Sequence, residues 1–220
     1  MNAMRVLLTV FFCLIATDIA MASFTQVTAP DPNATSVVIV DDSNGRITQC
    51  VALLSSSTPI GKCVGIGTTS TASLSGHVHL TVVGSIAFIT NTVTGNVTTC
   101  SVLIDGNGNP TGHCINERVS TTAAAYTPVA AASANSLLLI NNATGAITQC
   151  GGLVSGSSPI GTCFQIGAIS STSFSGHVQV NLVNNIAFIT DTGIGVIANC
   201  SVLINANGNP TGHCINEQAQ

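Results

Sequence analysis

Short runs of consecutive apolar residues recur along the chain about every fifty residues. The runs are Val37–Val40, Ile86–Ile89, Leu137–Ile140 and Ile186–Ile189, and Asn, Asp, Ser, Thr or Gly flank each of them. A four-residue run that is apolar on both faces is too short for a helix, and it predicts a β-strand that is buried on both sides. The sequence therefore predicts four units, each built around one central strand.

Turn signals divide each unit into four strands. In the second unit the predicted strands are His77–Val83, Ser85–Asn91, Asn96–Ile104 and Pro110–Asn116. No amphipathic helical pattern of useful length is present. We therefore predict an all-β fold of four tandem, four-stranded antiparallel meanders, with units at about residues 26–67, 76–117, 126–167 and 176–217.

A second repeat is superimposed on the first. Gly45–Glu117 recurs as Gly145–Glu217 without a gap, and the two segments are identical at 44 of 73 positions. The fifty-residue unit is therefore nested in a duplicated copy of about one hundred residues.

The hairpin register predicts which cysteines pair. A five-residue loop at Asp105–Asn109 places Ile104 opposite Pro110 and, further along the same strands, Cys100 opposite Cys114. A four-residue loop at Ser55–Thr58 places Cys50 opposite Cys63. Directly opposed residues of an antiparallel pair lie within disulfide range. With the second copy treated alike, the predicted disulfides are Cys50–Cys63, Cys100–Cys114, Cys150–Cys163 and Cys200–Cys214.

Residues 1–22 have the pattern of a secretory signal peptide. Arg5 precedes the apolar run Val6–Ala16, and small residues at Ala20 and Ala22 precede Ser23. The run is too short for a membrane span. We expect residues 23–220 to form the mature repeat domain, secreted or located in the periplasm or cell envelope. Its eight cysteines are an even number, as an oxidising compartment favours.

Charged residues make up only 5% of the chain. Beyond the predicted signal there are three basic and seven acidic residues, so we expect neither nucleic acid nor an anionic membrane as a partner. Ser, Thr, Asn and Gly dominate the polar positions, which predicts a neutral surface with little charge repulsion against self-association.

Two segments resemble a known repeat. Ile86–Asn91 and Ile186–Asp191, each followed by a turn and a strand bearing valine or isoleucine, resemble the YVTN-type β-propeller repeat of exported and surface proteins. Phe88 and Phe188 stand where that family has tyrosine, and its usual Pro-Asp-Gly turn is missing. The resemblance implies propeller blades, in a closed ring, an open arc or a ring completed by a second chain. The alternative is a pair of β-sandwich domains.

The candidate metal ligands are Asp105, Asn107 and Asn109, whose oxygens alternate as in the first half of a calcium loop. The loop lacks the required glycine, since Pro110 follows, and Asn116 occupies the position of the bidentate glutamate. Hairpin-loop chemistry explains the same residues, and the same holds for the segment 41–44. We therefore predict neither a metal nor a cofactor.

The histidines suggest zinc only superficially. His113 and His213 adjoin cysteines, but structural zinc sites favour cysteines two to four residues apart, and these thiols are expected to be oxidised. His77 and His79 share one face of a predicted strand, whereas the second copy has glutamine at position 179.

Few groups support catalysis. Glu117 and Glu217 are the only acids that recur between the copies, and they lie in different units. A glycosidase needs two carboxylates flanking one bond, and no nucleophile-elbow, zinc-protease or phosphate-loop motif occurs. We therefore expect that the chain is not an enzyme. Asn33, Asn96, Asn142 and Asn199 are formal glycosylation acceptors.

The leading functional expectation is a secreted or envelope-associated binding or scaffold module for a protein or carbohydrate ligand. The alternative is a self-associating structural or adhesive surface protein, since units of this kind could dock on copies of themselves as a homo-oligomer. A third hypothesis is a secreted hydrolase that uses Glu117 or Glu217.

Overall fold

The computed structural model describes residues 24–30, 35–55, 58–70, 74, 77–118, 124–131, 135–169, 174 and 176–218. The predicted signal peptide, its cleavage site and Asn33 lie outside the described residues. Within the described residues every regular element is a β-strand, and sixteen strands are present. The prediction of an all-β fold is confirmed.

The strands form four antiparallel sheets, and in each sheet their spatial order is their order in the chain. The first sheet contains β1 (Phe24–Pro30), β2 (Thr35–Asp41), β3 (Arg46–Ser55) and β4 (Thr58–Thr68); the second β5 (Val78–Val83), β6 (Ile86–Asn91), β7 (Asn96–Ser101) and β8 (Cys114–Arg118); the third β9 (Tyr126–Ala131), β10 (Ser136–Asn141), β11 (Ala146–Ser155) and β12 (Ser158–Ala168); the fourth β13 (Val178–Val183), β14 (Ile186–Asp191), β15 (Val196–Ser201) and β16 (His213–Gln218). Each sheet is thus a four-stranded meander, as predicted.

The sheets pack face to face in chain order. Three apolar clusters hold them together, one at each junction: Val38 and Ile89 belong to the first, Phe88 and Leu137 to the second, and Leu138 to the third. In the described residues no fourth cluster joins the fourth sheet back to the first. The molecule is a propeller-like open arc of four sheets rather than two separate sandwiches, and its two end sheets each have one uncovered face.

Central strands follow the apolar runs. All six residues of β6 and of β10 are buried, because both strands lie between two neighbouring sheets. In β14, by contrast, exposed and buried residues alternate at first, since only one side of the fourth sheet is covered. Position in the arc, rather than the apolar run itself, decides whether a central strand is buried on both sides.

One buried glutamine in each hundred-residue copy bonds two neighbouring sheets together. Gln49 Nε2 donates to Ser36 Oγ at 3.0 Å and, across the junction, to the Leu103 carbonyl at 3.1 Å. The Gly112 N–H donates to Gln49 Oε1 at 3.2 Å. Gln149 repeats the contacts to Ser136 and Leu203, both at 2.9 Å. A buried amide needs such partners, so these bonds fix the loop of one sheet on its neighbour.

The disulfides join the residues that the hairpin register places opposite each other: Cys50–Cys63, Cys100–Cys114, Cys150–Cys163 and Cys200–Cys214. Each pair is directly opposed in the strand register, with a Cα–Cα distance of 4.0 Å. Every sheet is therefore cross-linked between its third and fourth strands.

Two loop boundaries differ from the prediction. The β3–β4 connection is two residues rather than four, with Ser55 opposite Thr58, which leaves the register of the cysteines unchanged. The strand expected at Asn96–Ile104 ends early, at Ser101, and the strand expected at Pro110–Asn116 begins late, at Cys114. Between them only an isolated bridge joins Ile104 and Pro110. Pro110 lacks a donor, and the Gln49 amide also engages the Leu103 carbonyl, so a regular ladder does not continue.

Candidate binding groove

A half-open groove of about 480 Å³ lies between the β11–β12 hairpin and the loop that precedes β16. Its volume falls within the range of small-molecule sites. The lining residues come from two sheets and are Leu153, Val154, Ser155, Ile160, Ala206, Asn207 and Asn209. None of them is charged, and apolar and amide side chains occur side by side.

Close backbone packing brings the hairpin and the loop together. A Cβ atom at Gly151 would lie 2.4 Å from the Gly208 carbonyl oxygen, so only glycine permits this approach. The Leu153 side chain covers Gly208, whose φ of +80° also favours glycine. The floor of the groove is therefore fixed by contact between the third and fourth sheets.

The loop is stiffened by its own asparagines. Asn205 Oδ1 accepts the backbone N–H of Asn207 at 2.9 Å and that of Asn209 at 3.0 Å. From the third sheet, Thr162 Oγ1 donates to Asn209 Oδ1 at 2.9 Å. These bonds hold the backbone, while the Asn207 side chain remains exposed at the groove. The arrangement offers an amide donor and acceptor above an apolar floor.

The candidate calcium ligands are engaged within their own loop. Asp105 Oδ1 accepts the backbone N–H groups of Asn107 at 2.9 Å and Asn109 at 2.8 Å, and Asp105 Oδ2 accepts Asn109 Nδ2 at 2.9 Å. Hydrogen bonds, chiefly the one from the Asn109 side chain, lower the pKa of Asp105. Its oxygens thus cap a turn, as Asn205 does in the second copy.

The segment 41–44 is another such turn. Asp41 Oδ1 accepts the N–H and hydroxyl of Ser43, and Asn44 Nδ2 donates to Asp41 Oδ2 at 2.8 Å. These bonds, with that from the Ser43 side chain first, lower the pKa of Asp41. Asn91, Asn141 and Asp191 accept a backbone N–H in the same way at the equivalent turns. Short polar residues therefore occupy this position for backbone reasons.

The histidines are dispersed on the surface. His113 and His213 are exposed at the entry to β8 and β16, and each backbone N–H donates to a serine hydroxyl, Ser101 Oγ or Ser201 Oγ, at 3.0 Å. His77 precedes β5 and His79 lies on it, and both residues are exposed. Across the described residues no group of three or more His, Cys, Asp or Glu side chains is placed to hold a metal ion.

The recurring acids are not brought together. Glu117 lies on β8 of the second sheet and Glu217 on β16 of the fourth, with the third sheet between them. Burial raises the pKa of Glu117, which is half-buried, whereas Glu217 is exposed. The two carboxylates therefore cannot flank one bond within a single chain.

Sequence reasoning did not identify the groove. Its lining combines positions about fifty residues apart, such as Leu153 and Ala206, and their proximity depends on how two sheets stack. The one signal in the sequence is the pair of glycines, Gly151 and Gly208, since a glycine in or near a strand can mark a close approach between backbones. Among the described residues no helix is long and apolar enough to cross a membrane.

No protein-family model matches the chain, and no curated protein matches it. Among solved structures, the crystal structure of a "putative 6-phosphogluconolactonase" from Bacteroides uniformis ATCC 8492 is similar, with a TM-score of 0.51 and 18% sequence identity. The alignment covers 93% of this chain and 58% of that one, so the chain spans little more than half the length of its structural neighbour. The likeness shows a shared fold.

A second structure, Hsv2 from Kluyvelomyces marxianus, aligns over 90% of this chain and 72% of its own, with 10% identity and a TM-score of 0.31. That score is too low to support an argument.

The structural neighbour from Bacteroides uniformis corrects one expectation. The prediction from missing motifs and unpaired acids that the chain is not an enzyme is wrong, because a protein of the same fold is named a "putative 6-phosphogluconolactonase".

Proposed function

We propose that this protein is an extracellular binding module whose groove takes a neutral carbohydrate. The observation that carries the proposal is the uncharged groove between the third and fourth sheets, with amide groups above an apolar floor. The four disulfides are typical of a protein that folds in an oxidising compartment. The resemblance to YVTN-type repeats of exported and surface proteins fits the same setting.

A sugar ring matches this lining in two ways. Its hydroxyl groups both donate and accept hydrogen bonds, as the Asn207 amide does, and its C–H face suits Leu153 and Ile160. The loop is already held by Asn205 and Thr162, so binding orders little backbone. A preorganised site loses less conformational entropy on binding.

The test is a glycan array followed by calorimetry with the best neutral glycan. Asn207→Ala and Ile160→Ser remove groove contacts from exposed positions, and each should weaken binding about tenfold. Gln179→Ala, an exposed amide of β13 outside the groove, is the matched control and should bind as the parent does. An array on which no neutral glycan retains the protein, or affinities that the groove variants leave unchanged, would refute the proposal.

A further inference from the structure

The fourth sheet carries an uncovered apolar face. Val183 is 56% exposed, Ile186 40%, Phe188 38% and Ile215 55%. The register places these residues on one side: Val183 is opposite Ile186, and Asn199 is opposite both Phe188 and Ile215. We call this set the outer face of the fourth sheet.

The same face of the second sheet is buried. The counterparts one hundred residues earlier, Val83, Ile86 and Phe88, pack in the cluster shared with the third sheet, and Phe88 is fully buried there. The contact is close, because a Cβ atom at Gly152 of the third sheet would lie 3.3 Å from Phe88 Cζ. The molecule thus shows what covers such a face.

The face of the third sheet that packs against Phe88 also has an uncovered counterpart. In the third sheet this face consists of Leu137, Leu139, Cys150, Gly152 and Gly161, all of which are buried. In the first sheet the equivalent residues Val37, Ile39 and Cys50 are only half-buried, and Ala52 and Gly61 are exposed. We call this second set the outer face of the first sheet. Each end of the arc therefore presents one half of an interface that the chain forms once internally.

We propose that a second copy of this chain docks head to tail, with the outer face of its first sheet on the outer face of the fourth sheet. The two faces meet as the second and third sheets already do, with Phe188 of one copy over Ala52 of the next and Asn199, the counterpart of Thr99, over Gly61. Neither set contains a charged residue, so the centre of the contact between the two faces desolvates no ion. The groove lies outside both sets.

Arg46 and Glu217, which have opposite charges, lie at corresponding ends of the two faces, and Asp41 lies at the same end as Arg46. Arg46 lies beside Gly65 at the turn end of the first sheet, and Glu217, opposite Ile197, lies at the turn end of the fourth. Each turn is the one that joins the second and third strands of its sheet. Complementary charges at the rim favour one docking orientation more than they add affinity.

Several departures from the internal junction weaken the contact, and one is Asp41, a charged residue in place of Asn141, which is buried beside Tyr126 at that junction. Gln26 replaces Tyr126, whose ring packs on Gly95, while nothing lies within 4 Å of a Cβ built at the equivalent Gly195. Ala52 replaces Gly152, which has little room for a methyl group. The docking is therefore weaker than the junction within the chain, and it is reversible. Because the two faces differ, the contact is heterologous and produces rings or open chains of molecules.

Two variants, each disabling one face, test the geometry directly. Phe188→Asp places a charge on the outer face of the fourth sheet, and Ile39→Asp does so on that of the first. Light scattering after size exclusion, from about 1 µM to about 1 mM, should show mass rising with concentration for the parent protein. Each variant alone should stay monomeric, with dissociation constants raised at least about 30-fold. An equimolar mixture should form dimers and nothing larger, since one intact face of each kind remains.

The controls separate this arrangement from others. Phe164→Asp alters an exposed phenylalanine outside both faces and should assemble as the parent does. Ile215→Asp, at a more exposed position, repeats the Phe188→Asp test if that variant is poorly folded by circular dichroism. A parent protein that is monomeric throughout, a variant that dimerises alone or a mixture that stays monomeric would each overturn head-to-tail docking.

Discussion

Phe88 and Phe188 provide a matched pair, because they occupy the same position of the same repeat in different surroundings. Phe88 is fully buried between the second and third sheets, whereas Phe188 lies on the outer face of the fourth sheet. Truncation of a fully buried phenylalanine loses the transfer free energy of the ring and leaves a cavity. For Phe88→Ala we expect a loss of about 4 kcal/mol in the free energy of unfolding.

Phe188→Ala should cost much less. More than a third of its side chain is already in water, and no sheet closes a cavity around it, so the expected loss is about 1.5 kcal/mol. For a chain of this size the melting temperature falls roughly 2–4 °C per kcal/mol, which gives about 8–16 °C for Phe88→Ala and about 3–6 °C for Phe188→Ala.

Urea unfolding of the oxidised protein, at concentrations where copies do not associate, measures the difference. Tyr126 is the only tyrosine of a chain that has no tryptophan. The Tyr126 ring packs at the same junction as Phe88. Its near-ultraviolet circular dichroism therefore reports that junction. Equal losses for the two variants would refute the reasoning, because they would require Phe188 to be covered as Phe88 is.

Three further predictions follow from packing, exposure and charge. Gly112→Ala should destabilise strongly by urea unfolding, because its Cβ would lie 2.4 Å from the Ser101 carbonyl oxygen, whereas Gly106→Ala, with open space around it, should change little. Under mild reductant, thiol trapping with peptide mapping should find Cys50–Cys63 opened before Cys150–Cys163, since Cys63 is exposed and Cys150 is fully buried; simultaneous opening would contradict this. Burial raises the pKa of Glu117 above its ordinary 4.5, so the folded state disfavours the carboxylate and stability falls as pH rises through that range. Glu117→Gln should flatten the pH dependence of the urea midpoint, and a profile that changes no more than with Glu217→Gln would argue against it.

Local patterns were sufficient for the sheets and their cross-links. The apolar runs located the central strands, and the arithmetic of the loops placed each cysteine opposite its partner. These features depend on residues close in sequence, where strand periodicity and turn length leave few alternatives.

Contacts between sheets could not be predicted in this way. The shortening of β7 and β8 reflects in part an amide from another sheet, Gln49, and the groove combines residues from separate hairpins. Ile86–Phe88 and Ile186–Phe188 have the same sequence, yet one is buried and the other exposed. The expectation of no enzymatic activity was wrong for a related reason, since missing motifs and the separation of Glu117 from Glu217 do not decide activity.

The buried glutamines have a consequence for how the molecule opens. The buried amides of Gln49 and Gln149 bond the first sheet to the second and the third to the fourth, whereas the middle junction has Thr99 at the equivalent position and one bond from Ser101 Oγ to the carbonyl of the exposed Ser157. Cooperative units of partial unfolding follow such boundaries. In native-state hydrogen exchange, amides of β1–β8 should therefore lose protection as one group and those of β9–β16 as another, because the junction between the second and third sheets opens first.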